Sequence, residues 1–256
     1  MSIVEVSRAG HFATVTLNRP DKMNAVTVEM LEGLVAASQH DDVRTARAVV
    51  LRGEGRAFCA GLDVMSFSGV TPDSLLERSH GTRNLFQAAS LCWRDLEVPV
   101  IAALHDTCIG AGLQIALGAD IRIAAPGTKL SIMEMKWGLV PDMGGMAVLP
   151  SLMPGDVMRR MIYTAEVITA EEAQPLGLVT EVADDPHVRA LELAELIASK
   201  SPKAIRAAKR LSAIAETADE PTVLIAESEE QAGLIGGPEM MEQVAANMAK
   251  RLAVFK

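Results

Sequence analysis

Ile109-Gly110-Ala111-Gly112-Leu113-Gln114 follows an apolar strand, Val100 to Leu104, across a turn at His105-Asp106. A second strand, Asp120 to Ala125, comes next. It leads into Leu130-Ser131-Ile132-Met133-Glu134 and then Trp137-Gly138-Leu139-Val140-Pro141-Asp142-Met143-Gly144-Gly145. Residues 110 to 112 are small and open a short apolar helix, Leu113 to Leu117. A helix N-terminus carries unpaired N–H groups and the positive end of its dipole. Small side chains there let an anionic atom approach the backbone. The stretch predicts an oxyanion site made of main chain. A tight strand-to-helix turn without a ligand is the simpler alternative.

On either side the chain reads as alternating strands and helices. Ala13, Val15 and Leu17 alternate with Thr14 and Thr16, a half-buried strand that ends in a turn at Asn18-Arg19-Pro20-Asp21. Thr27 caps a helix to about Ser38, with Met30, Leu31, Leu34 and Val35 on its apolar face. Ala48 to Leu51 is the next strand. Residues 64 to 74 read as irregular, and a helix runs from about Leu75 to Ser90. Beyond the central stretch, Val157 to Ala165 is helical. Thr169-Ala170-Glu171-Glu172 is a capping box, and Leu178 to Val182 is a final strand. Asp185-Pro186, Ser201-Pro202 and Gly237-Pro238 then read as helix starts with proline in the first turn, giving three terminal helices. Strand-strand-helix units recur without a strict sequence period.

Composition bounds the function. The chain has 256 residues, 49% of them hydrophobic, enough for one large domain with a substantial core. Aromatics are 3%, so aliphatic residues and methionine must fill that core. The net charge of −9 argues against a nucleic-acid surface. No apolar run is long enough for a membrane span. Cys59, Cys92 and Cys108 have neither metal spacing nor a disulfide framework. They read as small buried hydrophobes in a reducing cytoplasm, and no signal peptide precedes Glu5 and Arg8.

Read together, Ala57-Phe58-Cys59-Ala60-Gly61-Leu62-Asp63 and Ile109-Gly110-Ala111-Gly112 resemble the enoyl-CoA hydratase/isomerase (crotonase) family. The resemblance runs from Leu17-Asn18-Arg19-Pro20 to Arg251-Leu252-Ala253-Val254-Phe255. It implies an α/β fold, a crotonase-like spiral of ββα units with a C-terminal helical oligomerisation region. Residues 1–195 would be the acyl-CoA-binding spiral and 196–256 the helical region, assembling trimers or hexamers. It also implies an acyl-CoA thioester substrate, with coenzyme A part of that substrate and no separate cofactor or metal.

The chemistry follows from the thioester. The proton on the carbon beside its carbonyl is weakly acidic, and removing it needs a base and a stabilised enolate oxygen. The resemblance places the two stabilising N–H donors at Leu62 and Ala111, with Gly110 beside the second. Glu134 falls on one of the family's two catalytic glutamate positions. It lies in an apolar run, where desolvation would raise its pKa toward a base's working range; a solvated surface glutamate is the alternative. The other glutamate position holds Gln114, which neither takes nor gives a proton at neutral pH. Two-carboxylate hydration therefore lacks a partner, and single-carboxylate isomerisation of a double bond does not. Asp142 falls where dienoyl-CoA isomerases of the family carry an acid; a helix N-cap is its other reading. His105 reads as a turn residue.

For binding, Lys22 and Ala25 resemble the family segment that contacts the CoA nucleotide, and Ala60, Asp63 and Val64 the adenine-contacting strip. Met65, Met133, Met135, Met143 and Met146 are candidates for a deformable acyl pocket, with core filling as the alternative. Lys250, Arg251 and Lys256 are candidates for CoA phosphates. Three functions stay open: enoyl-CoA isomerase, enoyl-CoA hydratase despite Gln114, and a CoA-thioester-binding protein with little catalysis.

Overall fold

The computed structural model describes residues 2–67 and 70–255. The strands begin with β1 (Val4–Ala9), β2 (Phe12–Leu17), β3 (Ala48–Gly53) and β4 (Val100–Leu104). They continue with β5 (Thr107–Ile109), β6 (Ile121–Ala124), β7 (Lys129–Ser131), β8 (Ile168–Thr169) and β9 (Glu181–Val182). The large sheet has the order β1-β2-β3-β4-β6-β9, antiparallel at β1–β2 and parallel thereafter. β2 alternates buried with half-buried residues, as its sequence alternates, whereas β3 and β4 are buried almost throughout. Near-continuous apolar strands are what a parallel sheet covered on both faces requires.

The helices are α1 (Val28–Gln39), α2 (Asp41–Arg44), α3 (Pro72–Leu76), α4 (Leu85–Leu91), α5 (Ala111–Leu117) and α6 (Gly145–Leu152). After them come α7 (Gly155–Thr164), α8 (Ala170–Ala173), α9 (Pro186–Ala198), α10 (Pro202–Ala215), α11 (Glu220–Leu234) and α12 (Pro238–Met248). Ala190 and Ala194 of α9 pack on Ala48, Val50, Ile101, Ala103 and Ile123 at one face of the sheet. Side chains of α1, α4 and α5, such as Leu34, Phe86 and Leu113, share the larger core on the other face.

A second, smaller layer positions the site. β5 pairs in parallel with β7, and β7 pairs antiparallel with β8. Cys59 extends this layer by a parallel bridge to Cys108, and Leu62 extends it again by a bridge to Val26. Segments 59–62, 107–110 and 129–131 thus lie side by side, each just past a strand of the large sheet. This is the spiral: strand, short strand, helix, then the next turn stacked alongside.

The terminal capping and proline signals are found where the sequence places them: Thr27 caps α1, Thr169 and Glu172 form a capping box, and Asp185 and Ser201 cap α9 and α10. Two expectations fail. The single helix from Leu75 to Ser90 is broken into α3 and α4. Thr71/Ser74 and Asn84/Gln87 form two separate capping boxes, with Gly81 at φ +69° and a His80–Arg83 bridge between them. A further helix start also lies at Asp219, which caps α11 with Pro221 in the first turn. The proline there is one position later than in the other three, inside a continuous helical pattern. The short β5, β7 and β8 have too few residues to show alternation. No helix among the described residues is long and apolar enough to cross a membrane.

Candidate active site

The backbone ladder of the small layer brings the distant motifs together. Cys59 N–H donates to Thr107 O (2.9 Å), Ile109 N–H to Cys59 O (3.2 Å) and Gly110 N–H to Ser131 O (2.9 Å). Each row therefore ends beside its neighbour, and Gly61-Leu62, Gly110-Ala111 and Met133-Glu134 line one cavity of about 380 Å³. Val26 N–H donates to Gly61 O and Asp63 N–H to Val26 O, so Leu62 turns its own N–H away from Val26. Ala111 is the first residue of α5, where N–H groups have no helical acceptor. Among the described residues, no protein acceptor meets the N–H of Leu62 or of Ala111.

Gly110 makes the approach possible. Its φ of +51° and ψ of −122° suit glycine, and a Cβ built there would stand 4.0 Å from Gly61 Cα and 3.9 Å from Glu134 Oε1. The first turn of α5 presses on the neighbouring row: a Cβ on Gly112 would meet Cys59 O and Cβ at 2.7 Å.

Glu134 starts a 3-10 turn, Glu134–Trp137, and is 8% exposed. Its Oε1 accepts from Gln114 Nε2 at 2.5 Å, while Oε2 is buried without a hydrogen-bond partner. Burial pushes the carboxyl above the ordinary glutamate value; its own backbone N–H and the Gln114 amide pull it back, and the charge of Asp142 pushes it further up. Gln114 is also buried, and its Oε1 accepts from Met143 N–H (2.9 Å) and Gly145 N–H (3.1 Å). Its side chain thus joins the base to the segment that opens α6, rather than hanging free in a polar pocket.

Asp142 is half-buried and does not line the cavity. Burial raises its carboxyl too. The N-cap reading fails, because the cap of α6 is Gly144, without a side-chain bond. His105 is a turn residue whose Nε2 meets Gly55 O at 2.9 Å. Cys59 adjoins the donor loop, but burial pushes its thiol up to about 12 and its Sγ donates to Asn24 O, so it supplies no thiolate.

The binding segments meet beside the cavity. Ala60 N–H donates to Met23 O at 3.0 Å, Arg19 donates to Ala25 O at 2.7 Å, and Arg19 pairs with Asp63 at 2.9 Å. Hydrogen bonding to Arg19 holds the Asp63 carboxyl below its usual range. Ala60 and Val64 line the cavity; Lys22 is exposed in the Pro20–Lys22 turn outside it. Only Met133 of the five methionines lines the cavity: Met143 is core, while Met65, Met135 and Met146 are exposed. Arg251 is committed to Glu242, and the tail docks where Arg47 donates to Phe255 O (2.9 Å), before β3 and so at the other end of the sheet. Lys256 lies outside the described residues.

Three contributors were not singled out in the sequence. Asn24 is fully buried at φ +54°; its Nδ2 donates to Glu54 O and Ala57 O, and its Oδ1 accepts from Arg19 N–H. Asparagine's tolerance of positive φ after the Pro20 turn was the available signal. Lys136 and Trp137 line the cavity mouth. In a 3-10 helix residues i and i+3 eclipse, so Trp137 stands one turn beyond Glu134 on the same side.

This geometry offers two unpartnered backbone N–H groups, a desolvated carboxylate and a largely apolar groove. The chain is 38% identical to the enoyl-CoA hydratase EchA19 of Mycobacterium tuberculosis over 210 residues, 80% of this chain and 78% of the relative. It is 32% identical to the (E)-benzylidenesuccinyl-CoA hydratase of Thauera aromatica, with 82% of each chain covered. The crystal structure of an enoyl-CoA hydratase from Bacillus anthracis superposes with a TM-score of 0.91 at 30% identity, covering 99% of both chains. With residues 8–256 matching the profile described as Enoyl-CoA hydratase/isomerase, the chain belongs to that family of enzymes acting on acyl-CoA thioesters.

Proposed function

We propose that the protein is an enoyl-CoA isomerase in which Glu134 is the sole proton carrier. Glu134 takes a proton from C2 of a 3-enoyl-CoA. The electron pair moves into the thioester carbonyl, whose oxygen becomes an enolate held by the N–H groups of Leu62 and Ala111. As the carbonyl re-forms, the double bond shifts to C2–C3 and C4 recovers the proton from Glu134. Reactant and product differ only in double-bond position, so no water or separate cofactor enters.

The observation that carries this reading is that Glu134 is the one carboxylate lining the cavity among the described residues. Hydration is the second reading, favoured by the names of the relatives above and by the electrostatic reach of Asp142 to Glu134. Incubating the protein with 3-enoyl-, 2-enoyl- and 3,5-dienoyl-CoA under one set of conditions decides between them. Isomerisation faster than hydration is expected. Efficient hydration would mean that a second carboxylate, with Asp142 the candidate, replaces the missing one. Tight CoA-ester binding with neither turnover would identify a thioester-binding protein.

The binding segment is read as Lys22, Ala25, Ala60, Asp63 and Val64 around the CoA nucleotide, with Gly110 against the thioester. The terminal helices support a trimer or hexamer: α11 buries no residue within the chain, and Leu224, Ile225, Met241 and Met248 are exposed. The cytoplasm is the proposed compartment, consistent with three buried free thiols.

A further inference from the structure

We propose that Gln114 is a positioning residue whose amide holds Glu134 Oε1 so that Glu134 titrates as a single carboxyl. The proposal rests on the reading of Glu134 as the base. The orientation of the amide is fixed by what surrounds it. Its oxygen takes two backbone donors, Met143 N–H and Gly145 N–H, at 2.9 and 3.1 Å. Turning the amide over would set its NH2 group against those donors and its oxygen against a carboxylate, losing three hydrogen bonds at once. The NH2 group therefore faces Glu134 Oε1 and holds it with one donated hydrogen bond.

The place is shaped for this amide. A Cβ on Gly145 would come within 3.0 Å of Gln114 Oε1, so a glycine there is what lets the backbone N–H reach it. The remaining carboxylate oxygen, Oε2, is buried and unpartnered. A buried acceptor without a donor is costly to maintain, so the Gln114 bond to Oε1 is the side-chain contact that offsets the burial of this carboxylate. One other charged group bears on the base, Asp142 from the segment before α6; Lys136, on the same turn, lines the cavity.

A glutamate at position 114 would behave differently. One of its oxygens could still accept from Met143 and Gly145, but the other would face Glu134 Oε1 at the present 2.5 Å separation. Two carboxylates that close share a proton and titrate as a pair. Glutamine at this position keeps the base titrating alone.

Titration of the Glu134 carboxyl by NMR in 13C-labelled protein, assigned with Glu134→Gln, tests this beside the pH dependence of kcat/KM. Gln114→Met removes the donor. The carboxyl midpoint should move up, and kcat/KM on the acid limb should fall on the order of tenfold while the alkaline plateau holds. Gln114→Glu is nearly isosteric and serves if the methionine variant does not fold. It should replace the single carboxyl titration with two coupled steps. Midpoints and acid limbs equal to wild type in a folded variant would overturn the proposal. A merely structural role would lower activity at every pH without moving the midpoint. Retained isomerisation in Glu134→Gln would instead remove Glu134 as the base, and the carboxyl titrations would still report on the Gln114 contact.

Discussion

The floor and the rim of the cavity are built on opposite terms. On the floor, Gly110, Ala111 and Glu134 are buried, and behind them the amide oxygen and nitrogen of buried Gln114 are committed to named partners. The floor atoms left uncommitted are the N–H groups of Leu62 and Ala111 and the Oε2 of Glu134. On the rim, Val64, Trp137 and Leu139 are exposed apolar side chains. The floor is hydrogen-bonded within the protein except at those uncommitted atoms. The rim is complete only with something apolar against it. Chemistry and affinity should therefore separate by location.

Glu134→Gln is the severest test of that separation. It keeps shape and removes the proton carrier, so kcat should fall about 100- to 10,000-fold with little change in CoA-ester affinity. The same substitution should stabilise the fold. The folded-state pKa of Glu134 is raised by burial, so the folded protein holds this proton more tightly than the unfolded chain. Stability is then lost as pH rises from the ordinary glutamate value through the raised one. The variant lacks that loss: its denaturant midpoint should exceed wild type at pH 8 and match it near pH 3. A less stable variant at pH 8 would show that Gln114 needs the charge more than burial opposes it.

Ala111→Pro ranks next. It deletes one donor at the first helical position, where proline is tolerated by the backbone, so the protein should fold and lose about 100- to 1,000-fold in kcat. Turnover near wild type in a folded variant would remove Ala111 from the site.

Asp142→Asn should act in the opposite direction and weakly. The Asp142 charge helps raise the Glu134 carboxyl, so neutralising it lowers that pKa and extends activity toward acid pH. A loss of about 100-fold at all pH values would instead make Asp142 a catalytic acid and favour hydration.

The floor's residues stand out locally, but their roles do not. Gly110 before an apolar helix suits a backbone donor or a plain turn, Glu134 in an apolar run suits a desolvated carboxyl or a surface one, and the family resemblance chose between them. What joins them was legible only through the family resemblance: the β5–β7 ladder rests on three-residue strands that no periodicity reveals. Asp142 was misread as a possible cap because its spacing suits one, but the chain makes its turn at Gly144, with φ +92°, and starts the helix from there. Gln114 was legible as a residue that cannot move a proton, but not as the link between Glu134 and the loop at 143–145. That link depends on how α5 packs beside α6. The broken helix at 77–84 shows the same limit, since two capping boxes on either side of a short polar segment read as one helix until Gly81 turns the chain.

Trp137→Ala addresses the rim and should have the smallest effect. The indole is 62% exposed, one 3-10 turn beyond the base, and its removal leaves every floor contact intact. An acyl group lying across the mouth covers it equally in the ground state and the transition state. Such uniform binding changes KM and leaves kcat alone. Covering part of an indole is worth about 1 kcal/mol at roughly 25 cal/mol per Å², so KM should rise about fivefold. Steady-state kinetics across acyl chains of increasing length give the sharper result. Chains too short to reach the indole should show no change, and longer ones the full effect. A fall in kcat for every chain would mean that Trp137 holds the turn carrying Glu134, and the division between floor and rim would dissolve at that residue.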